Sequence, residues 1–237
     1  MKVSLVCIAK NEDHYIDEWI KYHLKLGFDD IFVYTNDWDF NYSHPNVHIT
    51  EFNGSQAQIR AYTHCYDKIS SSYNWIAFFD VDEFLVLKKH ENIKDFLKDY
   101  TEYASVSINW VLFGDNNITF VNNEYSVIKR FTKRQILTNN HVKSIYNTLY
   151  PHKVSIHNSN IPSVDPNFNS FSGPFNNIGG DEIAQLNHYF CKTKEEFKNK
   201  VERGRADTGE IRDYSVFDIC NLNEIEDLHA YKFMYGN

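Results

Sequence analysis

"KVSLVCIAKNEDHYIDEWIKYHLKLGFDDIFVYTND", residues 2–37, decides the fold class. "KVSLVCIAK" is short, apolar and rich in β-branched residues, the pattern of a buried strand. "NEDHYIDEWIKYHLKLG" sets Ile16, Ile20 and Leu24 at i, i+4 and i+8, with Tyr15, Trp19 and Tyr22 alongside. That spacing predicts a helix, with Asn11 or Asp13 capping its start and Gly27 its end. "DIFVYTND" is a second strand, entered from Asp29 and Asp30. Strand, helix, strand in so short a span is a βαβ unit, so the two strands are expected to run parallel in an α/β sheet flanked by helices.

Working outward, "GSQAQIRAYTHCYDKIS" reads as a second helix with Ser55 as its cap, and "WIAFFDVDEFLVL", residues 75–87, as a strand. "ENIKDFLKDY" is a short helix and "YASVSINWVLFG" another strand. "EYSVIKRFTKR" and "HVKSIYNTLYPHKVSIHNS" look like strands or hairpins. Residues 158–181 are rich in Asn, Ser, Gly and Pro and read as a long loop; loops of that length are usually functional or mobile. "EIAQLNHYF" is a late strand. "TKEEFKNKVERG" is a helix with a capping box from Thr193 to Glu196 and Gly204 as its stop. No repeat or linker divides the chain, so residues 1–237 are read as one domain.

Composition bounds the function. The 237 residues are enough for a sizeable core, and 42% hydrophobic with 24% charged residues is ordinary for a globular protein. A net charge of −8 argues against nucleic acid as a partner, since phosphate contacts need clustered Lys and Arg. Cys7, Cys65, Cys191 and Cys220 are widely spaced with no CxxC pair, so buried free thiols are expected rather than a zinc site or disulfides. No signal peptide and no apolar run of membrane-spanning length is legible, so a cytoplasmic protein with at most peripheral membrane contact is expected.

The strand at 75–87 poses a problem, because Asp80, Asp82 and Glu83 interrupt an otherwise oily run. Buried carboxylates are costly unless they are paired or bind a metal. In a parallel α/β sheet ligands bind beyond the carboxyl ends of the strands, and Asp80 falls where 75–79 runs out. In an extended chain Asp80 and Asp82 point to one side, where they would grip a hard cation, Mn²⁺ or Mg²⁺, together with phosphate oxygens. The competing reading is a surface turn with solvated acids.

Taken together, "CIAKNEDHYIDEWIKYHLKLGFDDIFVYTND", "WIAFFDVDEFL", "INWVLFG", "VKSIY" and "LNHYFCKTKEEFKNKVERG" resemble glycosyltransferase family 92 and its bacterial relatives in the family 2-like group. The resemblance runs over roughly residues 3–205. It implies a GT-A fold with a Rossmann-like, mostly parallel central sheet and a DxD motif, a nucleotide-sugar donor and a divalent metal. It also implies transfer of galactose from UDP-galactose, with inversion, to a saccharide or lipid-linked saccharide. Two departures stand out. The family often has "YDN" after the second strand where this chain has "YTND", which moves the uracil or ribose contact to Asp37. Eukaryotic members carry an N-terminal membrane anchor, whereas this sequence opens on the first strand; that suggests a bacterial cytosolic enzyme of surface polysaccharide or lipooligosaccharide synthesis.

The resemblance assigns expected roles. Asp82 is the first metal ligand, Asp80 touches metal or ribose, and His188 of "LNHYF" is the third ligand rather than a core histidine. Glu83 is structural, bonding backbone in the turn. Asn11 and Glu12 sit where base and ribose would lie, although Asn11 is equally a helix cap. Arg60 either reaches the diphosphate or sits on a solvated helix face, Lys143 is a comparable phosphate candidate, and Trp110 either stacks on a sugar or packs in the core. An inverting transfer needs one general base; Asp115 is the first choice and Asp181 the second. The 158–181 loop is expected to order as a lid over the donor. The rival readings are a non-catalytic nucleotide- or sugar-binding module and a nucleotidyltransferase, the latter disfavoured by the lack of a Gly-rich phosphate loop.

Overall fold

A computed structural model of the chain describes residues 1–36, 38–121, 124–158, 160–205 and 207–236. In chain order the elements are β1 (Val3–Ala9), α1 (Ile16–Lys25), β2 (Asp30–Thr35), β3 (Val47–Glu51), α2 (Ala57–Ile69), β4 (Trp75–Phe78), β5 (Glu83–Leu87), α3 (Ile93–Leu97) and β6 (Ser105–Leu112). There follow α4 (Val127–Arg130), β7 (Lys133–Arg134), β8 (Val142–Asn147), β9 (Ser163–Val164), β10 (Ser170–Phe171), β11 (Ala184–His188), α5 (Lys194–Glu202), α6 (Val216–Cys220), β12 (Ile225–Glu226) and α7 (His229–Tyr235).

The main sheet runs β10-β9-β6-β8-β4-β1-β2-β3, with β11 joining β6 to β5. Strands β3, β2, β1 and β4 are mutually parallel, the Rossmann-like half built by the βαβ opening. Strand β8 runs antiparallel to both β4 and β6, linking this half to the mixed one. This α/β sheet flanked by helices is the architecture the resemblance implies. β1 is buried at every residue and β4 likewise, as strands covered on both faces must be.

Residues 75–87 are two strands rather than one. β4 stays with β1, while β5 leaves to pair with β11, and the acids occupy the turn between them. A continuous apolar run hides this break. The far edge of β5 is closed by side chains of α1. Trp19 Nε1 donates to the Glu83 carbonyl (2.8 Å), Tyr22 Oη donates to the Leu85 carbonyl (2.9 Å), and the Leu85 N–H donates to His23 Nε2 (3.4 Å). The aromatic face of α1 thus does more than fill the core: it satisfies an edge strand's backbone.

Several local expectations change. Helix α1 starts at Ile16 with no side-chain cap; the Glu12 carbonyl accepts from the N–H groups of Tyr15 and Ile16 instead. Neither Asn11 nor Asp13 caps it. Asn11 turns the chain out of β1 at φ +53°, a conformation asparagine tolerates well. Ser55 does not cap α2, which begins after Gln56 at φ +51°. Part of "EYSVIKRFTKR" is the short helix α4, capped by Ser126. The capping box from Thr193 to Glu196 is formed as read, with Gly204 at φ +79° past the helix.

Residues 158–181 are not all loop: among the described residues of this segment two short strands form. These are β9 and β10, and Ser163 Oγ bonds with the hydroxyls of Ser105 (2.9 Å) and Ser107 (2.6 Å) on β6. The segment is fastened to the sheet edge. The four cysteines are free thiols.

His23 gives the fold an acid limit. It is fully buried, and burial lowers its pKa to about 3. Its Nδ1 lies 2.9 Å from the Trp19 carbonyl, so the proton sits there and Nε2 accepts from Leu85. The folded pKa is depressed below the unfolded value. The contribution is therefore complete above pH ~6.5 and is lost as pH falls towards the folded pKa, a total of order 5 kcal/mol. Urea unfolding between pH 7 and 4 is expected to show a steep fall in stability for wild type and a shallower one for His23→Met. Equal slopes would refute this role.

Candidate active site

The turn at residues 80–83 is closed by its own side chain: the Glu83 N–H donates to the Asp80 carbonyl (3.0 Å), and the Asp80 N–H donates to Glu83 Oε2 (2.8 Å). Glu83 therefore has the structural place expected of it. In the turn Asp80 and Asp82 line the same cleft but take different partners. Asp80 Oδ1 accepts from Gln58 Nε2 (2.8 Å) and Tyr62 Oη (3.1 Å) on α2, and Oδ2 from Lys143 Nζ (3.0 Å) on β8. Asp82 Oδ2 accepts from Lys200 Nζ (2.5 Å) on α5, and Oδ1 stands 3.5 Å from His188 Nε2 at the end of β11.

Burial pushes all three carboxyls up, and their neighbours decide which stay ionised. Lys143 outweighs burial at Asp80, leaving it below the usual range. Lys200 is the main cause of the same effect at Asp82, which is held further below the usual range. Glu83 is raised well above that range, because burial and the two aspartates overcome Lys143. Burial also lowers His188, which keeps its imidazole neutral near pH 7.

A cleft of about 350 Å³ opens beyond the carboxyl ends of β1 and β4. Glu12 and Asn36 line it at the β1–β2 end, and Asp80, Asp82, Trp110 and His188 line its floor. Its outer wall is cationic: Lys200, Arg203, Arg205 and Arg212. Arg203 Nη1 donates to the Lys10 carbonyl (2.6 Å) and to the Glu12 carboxylate. Arg205 makes a two-pronged pair with Asp207 (2.9 and 2.6 Å). Gln56 Nε2 donates to the Thr208 carbonyl (3.1 Å), tying this wall to the start of α2. Arg212 lies over the Phe190 ring at 5.4 Å.

The structure thus brings Glu12, Asp80, Asp82, Trp110 and His188 to one cleft and, among the described residues, places Asn11, Arg60, Lys143, Asp115 and Asp181 outside its lining. Asn11 is exposed and does not line it. Asp37 lies outside the described residues. Arg60 is on the exposed face of α2, donating to the Ser55 carbonyl (3.0 Å). Lys143 is fully buried and is the counter-ion of Asp80 (3.0 Å), with the Glu83 carboxyl 3.5 Å away, so it is closed to a phosphate. Asp115 does not line the cleft; its Oδ1 accepts from the Asn117 N–H (2.8 Å) and Asn223 Nδ2 (3.1 Å). Asp181 does not either; it pairs with Arg134 (2.7 Å) and Lys88 (2.9 Å). Sequence reasoning missed the cationic wall. Its signal was the basic run "KNKVERGRADTGEIR", residues 198–212, soon after His188.

Among the described residues no three His, Cys, Asp or Glu side chains gather as a ready metal cage. Two donors do fit a divalent ion. Asp82 Oδ1 and His188 Nε2 are 3.5 Å apart, too far for a good hydrogen bond and close to the ~3–3.5 Å separating two ligands of one ion at ~2.1 Å. Hard cations commonly take one or two protein ligands and fill the remaining positions with substrate phosphates and water. Asp80, with both oxygens already accepting, is less available.

The sequence model of glycosyltransferase family 92 matches residues 37–221. A family 92 protein of Ricinus communis is 26% identical over 216 residues, covering 85% of this chain and 38% of the relative. One of Arabidopsis thaliana is 24% identical over 213 residues, covering 81% and 36%. The chain therefore spans less than half the length of these relatives. Among solved structures, S. aureus TarS (residues 1–349) is similar at TM-score 0.32 and 16% identity, covering 62% of this chain and 47% of that one. A 4-diphosphocytidyl-2C-methyl-D-erythritol synthase of Anaerococcus prevotii gives TM-score 0.35 and 11% identity, covering 62% and 72%. At such scores neither likeness bears on the chemistry. The family match takes in the acidic turn, His188 and the whole cationic wall, and with it the chain belongs to glycosyltransferase family 92.

Proposed function

We propose that this chain transfers a glycosyl group, galactose being favoured, from a UDP-sugar to a hydroxyl of a saccharide or lipid-linked saccharide, with inversion. The observation that carries the reading is the acidic turn at the carboxyl end of β4 facing a cation-walled cleft. The nucleoside lies towards Glu12 and Asn36 and the diphosphate along Lys200, Arg203, Arg205 and Arg212. Their charge favours departure of the nucleoside diphosphate as the acceptor oxygen attacks the anomeric carbon: the bond from that carbon to the diphosphate breaks as the new C–O bond forms, and the acceptor proton passes to a carboxylate of the cleft lining. Asp82 and His188 would hold a Mn²⁺ or Mg²⁺ ion, which would add positive charge against the leaving diphosphate. A nitrogen ligand tilts the choice towards Mn²⁺. Family membership supports glycosyl transfer. The donor, the metal and a setting in the cytoplasm or at a membrane's inner face in surface polysaccharide synthesis are part of this proposal. No helix among the described residues is long and apolar enough to cross a membrane.

A panel of UDP-sugars with Mn²⁺, read as UDP release in the presence of saccharide acceptors, tests it. Release with one sugar donor, abolished by EDTA and restored by Mn²⁺, is expected. Diphosphate release from a nucleoside triphosphate instead would identify a nucleotidyltransferase. Binding without turnover would identify a non-catalytic module. Full activity in chelator would remove the metal from the scheme.

A further inference from the structure

Lys200 stands between the two halves of the proposed site. Its ammonium donates to Asp82 Oδ2 (2.5 Å) and to the Phe190 carbonyl (3.2 Å) and lies 4.0 Å from the centre of the Phe190 ring. Both partners of the ion pair are largely buried, at 12% and 11% side-chain exposure. The pair is therefore weakly screened, and Asp82 is already neutralised before any divalent ion arrives. An incoming Mn²⁺ beside His188 meets a carboxylate whose charge is spoken for, and an ammonium that repels it.

The same ammonium lines the cleft with Arg203, Arg205 and Arg212, within the wall facing a diphosphate. Lysine is a compact charge on a flexible four-carbon stem, so it can change partners without moving the backbone of α5. A diphosphate carries more negative charge than one carboxylate and offers several acceptor oxygens.

We propose that Lys200 is a resident counter-ion that yields Asp82 to the metal only when a nucleoside diphosphate draws its ammonium away, so that metal and nucleotide bind cooperatively through this one side chain. The proposal rests on the reading that Asp82 and His188 hold the ion. By linkage, the nucleotide tightens the metal as much as the metal tightens the nucleotide. The site then takes up its metal chiefly together with a donor.

The test measures Mn²⁺ binding directly, by the electron paramagnetic resonance of the free ion, with and without UDP. The variants are Lys200→Gln and Asp82→Asn, with melting curves to confirm folding. Without UDP, Lys200→Gln is expected to bind Mn²⁺ about tenfold more tightly than wild type, the scale of one poorly screened charge pair. Metal-free UDP should bind it more weakly, because the ammonium on the diphosphate is gone. The tightening of Mn²⁺ by UDP should shrink, though not vanish, since the phosphate oxygens are themselves ligands. Mn²⁺ affinity in Lys200→Gln equal to or weaker than wild type would overturn the proposal, leaving the metal reading intact so long as Asp82→Asn abolishes binding. No Mn²⁺ binding by wild type, or unchanged binding by Asp82→Asn, would overturn both.

Discussion

Lys143→Met is expected to lower the unfolding free energy by about 3–5 kcal/mol, the usual result of removing one partner of a buried charge pair. Lys143 is wholly inaccessible, and its ammonium answers Asp80 at 3.0 Å, with the Glu83 carboxyl 3.5 Å away. Methionine matches the stem in volume and leaves the Asp80 charge to two neutral donors among the described residues, Gln58 and Tyr62. For a chain of this size the loss corresponds to a melting temperature roughly 10 °C lower. The double variant Lys143→Met/Asp80→Asn should recover part of the loss, because a neutral amide needs no counter-ion. A melting temperature within ~2 °C of wild type for the single variant, below the shift of even 1 kcal/mol, would show that the pair contributes little.

The second large effect is on turnover. Asp82→Asn keeps the shape of the turn and removes the charge that faces His188 and Lys200. Transfer is expected to fall by ~10²–10³-fold or more, the scale of losing one electrostatic element of an active site. The melting temperature should change little, since the Lys200 ammonium borders the cleft and can turn towards water. Single-turnover UDP release, with circular dichroism on the same samples, separates the outcomes. Activity within tenfold of wild type would remove Asp82 from the site, and a lost fold would make the acid structural.

Much of the fold was legible for a simple reason. Parallel strands buried on both faces, such as "VSLVCIA" and "DIFVYT", have no polar side to disguise them, and α1 has a strong three-to-four-residue rhythm. The acidic turn was legible only as a contradiction: carboxylates in an oily run. Its resolution was not, because the cations that answer those acids, Lys143 and Lys200, lie far along the chain. Asp115 and Asp181 failed to reach the cleft for the same reason, since Asn223, Arg134 and Lys88 claim them from remote segments. Helix α4 was masked by the β-branched pair Val127 and Ile128, and only its Ser126 cap betrays it.

The closure of β5 bears on how the chain is made. One of its edges is sealed by Trp19, Tyr22 and His23, which leave the ribosome before it does. The other edge waits for β11, since Glu83 pairs with His188 and Leu87 with Ala184. Throughout that interval of synthesis the nascent chain displays the apolar segment "FLVL" with one open row of backbone donors and acceptors. Such edges seek strands from neighbouring chains. The early helix halves the hazard, and the turn's own carboxylates, still hydrated at that stage, act as gatekeepers at its upstream end. The acids that line the cleft in the finished fold thus stand, in the half-made polypeptide, where charge opposes pairing with a neighbouring chain.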